Sequence, residues 1–377
     1  MHIAFLKESI ASEARVAVLP ETVKKLTALQ AEISIESNIG TALEIADNQY
    51  EEAGGRINSD RNTLLTEADL LASVQKPNLN DIPHLKKGAT CISFINPNND
   101  AIILSKLAEQ NINTISMDMI PHTTLAQKMD AISSQANISG YAAIVFGAQH
   151  LKTILPMMIT PSGTITPART LIIGAGVAGL QAIATAKRLG AYVEAFDTRP
   201  AAQEQIISLG AKCIKINMPH TDEKKYGYAA QLTDTQLKQQ QTAMEKALIQ
   251  ADLIVTTAKV FGKPAPRLIT QAMMQCMKPG SVIVDMAVDT GGNVEGSKLN
   301  EVVEINHVKI IGIHPLCNLF PMTASEMYAN NIYHFINQFW NKTSKCFELN
   351  LDNEIIQNCL ITHQGKLLKS MGDTHAK

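Results

Sequence analysis

Residues 170–180, TLIIGAGVAGL, constrain the fold more tightly than any other stretch of the chain. A β-branched apolar run reaches Gly174-Ala175-Gly176-Val177-Ala178-Gly179, a helical pattern follows over 180–189, and a second apolar run, 192–196, ends in Asp197. Strand, Gly-rich turn, helix, strand and acid in this order form the dinucleotide fingerprint in its required context. Gly174 lets the chain turn tightly. Gly176 removes the side chain where a pyrophosphate must approach the backbone, and Gly179 lets helix and strand pack closely. The helix N-terminus, at Val177 and Ala178, offers free N–H groups and partial positive charge to phosphates. Asp197 falls 23 positions after Gly174, where a carboxylate accepts both adenosine-ribose hydroxyls and repels a 2′-phosphate. That favours NAD over NADP, although Arg199 nearby works against the repulsion.

The chain's 377 residues are enough for two domains, and 45% hydrophobic with 18% charged residues describes a globular chain with a sizeable core. A net charge of −2 leaves no basic footprint for nucleic acid. No apolar run approaches the ~18 residues that span a bilayer, and the opening MHIAFLKES reads as a strand and not as a signal peptide. Six scattered cysteines show neither a C-x-x-C nor a metal-ligand spacing, which predicts reduced thiols in a cytoplasmic protein and no metal site.

Along the first third, apolar strands at 2–6, 33–35, 69–74, 91–95 and 113–119 alternate with helical patterns, which means β-α units on a parallel sheet. A polar stretch, 122–130, precedes a helical run expected over 131–155 and a loop over 156–167. From Thr170 six strands are expected, at 171–173, 192–196, 213–216, 253–257, 282–286 and 308–313, the doubly wound count. The polar insertion 217–240 exceeds the usual connection length and reads as a mobile loop. Thr323 as N-cap with Glu326 three residues on starts an amphipathic helix to about Trp340, and the tail reads as short strand or loop. The expected fold class is therefore α/β with two domains. A doubly wound Rossmann domain, 134–324, is inserted into a discontinuous Rossmann-like domain, 1–133 and 325–377, and two long helices join them.

Several segments together resemble the NAD(H)-binding soluble component, domain I, of proton-translocating NAD(P) transhydrogenase. They are KESIASEARVAVLPETV, AQKMDAISSQANISGYAAI, PARTLIIGAGVAGLQAIATAKRLGAYVEAFDTRPA, GKPAPRLIT, KPGSVIVDMAVDTGGN and TASEMYANNIYHFI. Alanine dehydrogenase shares the fold and the start motif and is the competing resemblance. In that enzyme a Lys and a His hold and protonate the substrate. The matching positions here are Gln75 and Asn96, neither a cationic anchor nor a general acid near pH 7, while Arg15 is present in both groups. Direct hydride transfer between two nicotinamides needs no proton donor, so positioning is the main catalytic contribution.

The resemblance implies that Gln127 and Asp130 orient the nicotinamide, beside Thr123, Thr124 and Ser133. His122 stands where the family has an Arg and is the third member of that set. It also implies that Gly227 and Tyr228 belong to a loop folding over bound nucleotide, that Thr198 and Arg199 flank the ribose acid, and that Ala258 and Lys259 line the ligand edge. Lys259 replaces a residue that is usually apolar. Asp285 and Asp289 read as loop-shaping residues. As partners it implies a second copy of the chain, an NADP(H)-holding subunit and membrane-spanning subunits, with this chain peripheral on the cytoplasmic face of the inner membrane and not inserted. Two alternatives stay open: a soluble amino-acid dehydrogenase of the alanine dehydrogenase type, and a non-catalytic NAD(H)-binding regulatory subunit.

Overall fold

The computed structural model describes residues 1–214, 244–260 and 263–368. The chain separates into two compact units, Met1–Gln135 with Phe320–Lys377, and Ala136–Leu319. Both are mixed α/β units built on largely parallel sheets.

The first unit holds β1 (His2–Phe5), β2 (Glu32–Glu36), β3 (Arg56–Asn58), β4 (Leu70–Gln75), β5 (Thr90–Phe94) and β6 (Asn113–Ser116). They lie in the order β3-β2-β1-β4-β5-β6, all parallel. Alternation along β1 explains why the sheet is buried on both faces. Ile3 and Phe5 enter one core with Tyr328, Ile332 and Phe335, while Ala4 and Leu6 enter another with Leu64, Leu104 and Leu107. The tail is more regular than expected. Helix Glu354–Cys359 leads into strand Leu360–His363, which pairs antiparallel with β6 and then with Lys366–Leu367.

The second unit begins within helix Ala131–His150 and continues with a hairpin, β7 (Met158–Thr160) and β8 (Gly163–Ile165), in the segment expected to be a loop. Its main sheet contains β9 (Arg169–Ile173), β10 (Tyr192–Phe196), β11 (Lys212–Cys213), β12 (Leu253–Thr256), β13 (Val282–Asp285), β14 (Val302–Ile305) and β15 (Val308–Ile311). The order is β11-β10-β9-β12-β13-β15-β14, parallel except for β14, a strand missing from the sequence expectation. β14 is a four-residue edge strand, Val302-Val303-Glu304-Ile305, with an exposed, intermediate, exposed, intermediate pattern, an apolar run in which no residue is fully buried.

Two helix limits also differ. The helix from Ala131 ends at His150 and not near residue 155. The late helix spans Pro321–Gln338 with Phe320 at its N-cap, because Pro321 presets the first-turn backbone and overrides the Thr323 signal. None of the six cysteines is in a disulfide. Among the described residues no helix is long and apolar enough to cross a membrane.

Candidate functional site

The turn after β9 is built for close approach. Gly174 has φ +98° and its N–H donates to the Phe196 carbonyl at 2.9 Å. A Cβ on Gly179 would overlap the Gly174 carbonyl oxygen, so the helix Val177–Arg188 leaves the turn with no side chain between them. Gly176 is different. Its φ of −78° suits any residue, and a Cβ there would meet no atom within 4 Å. No side chain caps the helix at Gly176, so its first-turn N–H groups lack the partner that a capped helix supplies. Open space over a glycine beside uncapped N–H groups fits a pyrophosphate. Val177 is exposed and Ala178 half-buried. The Ala178 carbonyl lies so close to Gly140 that a Cβ at 140 would overlap it.

Asp197, buried at the end of β10, is already engaged. Its Oδ2 accepts the Ala175 N–H at 2.8 Å and Arg199 Nη2 at 3.1 Å; its Oδ1 accepts the Arg199 N–H at 2.9 Å and Nε at 3.0 Å. A carboxylate offers about four acceptor positions, so ribose hydroxyls reach it only in exchange for bonds from Arg199. This sharpens the expectation from the sequence, which placed Arg199 nearby but not on the acid. Thr198 beside them is half-buried.

Beyond β12, Thr257 Oγ1 donates to the Gly174 carbonyl at 3.0 Å, which makes this loop a wall of the Gly-rich turn. Ala258 is clamped by Asn293: its N–H donates to Oδ1 at 3.1 Å and its carbonyl accepts Nδ2 at 2.8 Å. Lys259 pairs with Asp289 at 2.7 Å. Asp285, fully buried, accepts the N–H groups of Ala287, Asn293 and Val294, so it shapes the loop after β13. Asn293 was missed at the sequence level. The available signal was the Gly291-Gly292-Asn293 run, and the structure shows that both glycines have positive φ and that Asn293 is buried.

In the first unit, a second cluster forms where the chain enters helix Ala131–His150. Asp130 Oδ2 sits 2.7 Å from His122 Nδ1 and accepts Ser133 Oγ at 2.6 Å, while Oδ1 accepts the Ser133 N–H at 2.9 Å. The hydrogen bond to Asp130 raises the His122 pKa above its ordinary value, against partial burial. Burial pushes Asp130 up, but the bonds from His122 and Ser133 outweigh it and hold the carboxyl below its usual range. His122 therefore serves as a hydrogen-bonded partner of Asp130, and its side chain is 69% exposed. Gln127 lies in a 3-10 turn, Gln127–Met129, exposed, with Thr124 exposed and Thr123 half-buried. The structure thus brings His122, Asp130 and Ser133 into contact. Gly227 and Tyr228 lie outside the described residues.

The positions that the alanine dehydrogenase resemblance singles out are engaged by the chain's own groups, although Gln75 also lines a cavity of about 230 Å³. Arg15 is 4% exposed; its Nε donates to Glu13 Oε1 at 2.8 Å, Nη2 to Glu13 Oε2 at 2.6 Å and Nη1 to Gln135 at 2.9 Å. Gln75 Nε2 donates to the same Glu13 at 2.7 Å. Burial pushes the Glu13 carboxyl up, and the Arg15 bonds reverse this and leave it below the usual range. Glu13 was not singled out from sequence. Asn96 Oδ1 accepts the Asn98 N–H in a local turn.

Comparison with known proteins agrees with this geometry. The family described as "Alanine dehydrogenase/PNT, N-terminal domain" matches residues 4–139, and "Alanine dehydrogenase/PNT, C-terminal domain" matches 143–370. The first of the parts into which the NAD(P) transhydrogenase alpha subunit of Rhodospirillum rubrum is divided is 38% identical over 375 residues, 98% of each chain. A transhydrogenase structure from Sinorhizobium meliloti superposes with a TM-score of 0.88 at 38% identity, over 98% of this chain and all of that one. An L-alanine dehydrogenase structure shares the fold at a TM-score of 0.80 and 22% identity, over 98% of this chain and 97% of that one. The chain belongs to the alanine dehydrogenase/PNT family and, within it, to the NAD(P) transhydrogenase alpha subunits.

Proposed function

We propose that this chain is the NAD(H)-binding component of a transhydrogenase, an oxidoreductase that moves hydride between NADH and NADP⁺ held on a partner subunit. The observation that carries the reading is the contrast between the open Gly176 turn and the Gln75 position, where an uncharged amide bound to Glu13 stands in place of a lysine. The turn has room and uncapped N–H groups for a pyrophosphate. Arg15, common to both groups, is bound by Glu13, and the same Glu13 accepts Gln75, which offers no cationic anchor for an oxo acid. Kinship with transhydrogenase alpha subunits at 36–38% identity supports the same choice.

In this reading the unit Ala136–Leu319 is the nucleotide-binding domain, doubly wound and inserted near the 133/134 and 324/325 boundaries suggested by the sequence. Gly174, Gly176 and Gly179 with the N–H groups of Val177 and Ala178 hold the pyrophosphate, and Asp197 with Thr198 and Arg199 holds the adenosine ribose. Bound NADH supplies the hydride. Asp130, fixed by His122 and Ser133, and Gln127 orient the ring carboxamide. No general acid is required, since hydride passes directly between two rings. The chain works as a homodimer beside NADP(H)-holding and membrane-spanning subunits, peripheral on the cytoplasmic face of the inner membrane, where the transfer is coupled to proton movement.

Mixing the purified chain with an NADP-loaded partner component, NADH and an NAD⁺ analogue tests this. Reduction of the analogue that depends on the partner is the expected result. NADH oxidation by the chain alone with pyruvate and ammonia would overturn it in favour of an amino-acid dehydrogenase.

A further inference from the structure

Three loops at one edge of the second unit's sheet bring a lysine, an aspartate and a histidine together. Lys259 follows β12, Asp289 follows β13 and His314 follows β15, three consecutive neighbours in the sheet. Lys259 Nζ lies 2.7 Å from Asp289 Oδ1, and His314 Nε2 lies 3.6 Å from Asp289 Oδ2. The side chains are 39%, 27% and 33% exposed in that order. The cluster is thus neither sealed in the core nor washed by solvent on all sides, and its charges act on whatever binds beside it.

The fold says what that is, on the reading that this unit holds a dinucleotide. The pyrophosphate turn follows β9. Asp197 follows β10, on one side of β9, while β12, β13 and β15 lie on the other. A dinucleotide crossing the point of reversal, with its adenosine ribose on the β10 side, has its nicotinamide half on the β12 side. The Thr257 bond to Gly174 joins the loop carrying Lys259 directly to that turn.

The two redox forms of the nicotinamide differ by one positive charge on the ring. A bare Asp289 carboxylate on that side favours the cationic, oxidised form by simple Coulomb attraction. Lys259 cancels that carboxylate. We infer that Lys259, paired with Asp289, is a specificity-determining residue that shifts the site's preference from oxidised toward reduced nicotinamide dinucleotide.

Dissociation constants for NAD⁺, NADH and ADP-ribose, measured by calorimetry on the full chain at one pH and ionic strength, test this. Removing the cation in Lys259→Leu should shift the NADH-to-NAD⁺ affinity ratio toward NAD⁺ by about fivefold, and removing the anion in Asp289→Asn should shift it toward NADH by about the same. The double variant should return close to the wild-type ratio. ADP-ribose lacks the ring, so its affinity should change by less than about twofold. If Asp289→Asn does not fold, Lys259→Leu and the charge-restoring Lys259→Arg decide alone. Single variants that shift the ratio in the same direction, or leave it unmoved while ADP-ribose still binds, overturn the inference and spare the dinucleotide reading. Failure of ADP-ribose to bind the wild-type chain overturns both.

Discussion

In the first unit the acids after β1 are held by the chain's own donors, beside a cavity of about 230 Å³ lined by Leu6, Lys7, Glu8 and Gln75; in the second the helix after β9 starts without a side-chain cap. The two units share one strand order, third-second-first-fourth-fifth-sixth along their parallel strands, so the difference is not one of topology. After β1 comes Leu6-Lys7-Glu8, and the Glu8 carboxylate accepts the N–H groups of Val74 and Gln75 at the end of β4. Burial still pushes Glu8 up to about 7. Glu13 binds Arg15 and Gln75. After β9 one donor, the Ala175 N–H, is taken by Asp197, while the helix that starts at Val177 has no side-chain cap and keeps its first-turn donors available. An α/β sheet offers a phosphate site where the helix after its first turn starts without a side-chain cap, and a self-satisfied scaffold where buried acids take the nearby donors.

The largest test of this contrast removes the internal partner from the first unit. Glu13→Ala leaves the buried Arg15 guanidinium without its carboxylate and should cost about 3–5 kcal/mol in urea unfolding. A loss under about 1 kcal/mol would mean that Arg15 is free to seek another anion. In the second unit, Gly179→Ala forces a Cβ onto the Gly174 carbonyl and should cost about 1–3 kcal/mol. Unchanged stability would show that helix and turn are not in the close contact described. The smallest effect is electrostatic. Asp130→Asn removes the hydrogen bond that raises His122, so the ring should titrate closer to its ordinary value of about 6.5 when followed by NMR. The sign follows from both partners. His122 is raised, so its contribution is present below its unfolded value and fades as pH rises through the folded one; Asp130 is lowered, so its contribution fades only as pH falls through its folded value. The pair is intact between those limits, and an unshifted His122 in the Asp130→Asn protein would show that the two do not interact in solution.

What the sequence made legible was local. The Gly174–Gly179 turn, β9 and β10 all lie within a short window, and periodicity with glycine spacing is enough to find them. Partners across the fold were not legible. The Ala175 N–H reaches Asp197 from 22 residues away, on the carboxylate that Arg199 also binds. Asn293 on Ala258 joins loops 35 residues apart. The hairpin Met158–Ile165 was missed because all of its strand residues are exposed and no apolar alternation marks it. At the late helix two start signals competed, and Pro321 prevailed over Thr323 through its fixed φ. His122 shows the converse. Its type departs from the resemblance, yet the structure gives it a partner in Asp130.

The most direct measurement is the stoichiometry of NADH binding by calorimetry on the wild-type chain and on Gly176→Val. A Cβ at 176 meets no atom within 4 Å, so the variant should fold, with an N-cap loss of about 1 kcal/mol, while its methyls take the space over the turn. One NADH per wild-type chain, with affinity lowered by at least about tenfold in the variant, is the expected result. Two NADH per chain, or unchanged binding in Gly176→Val, would contradict it.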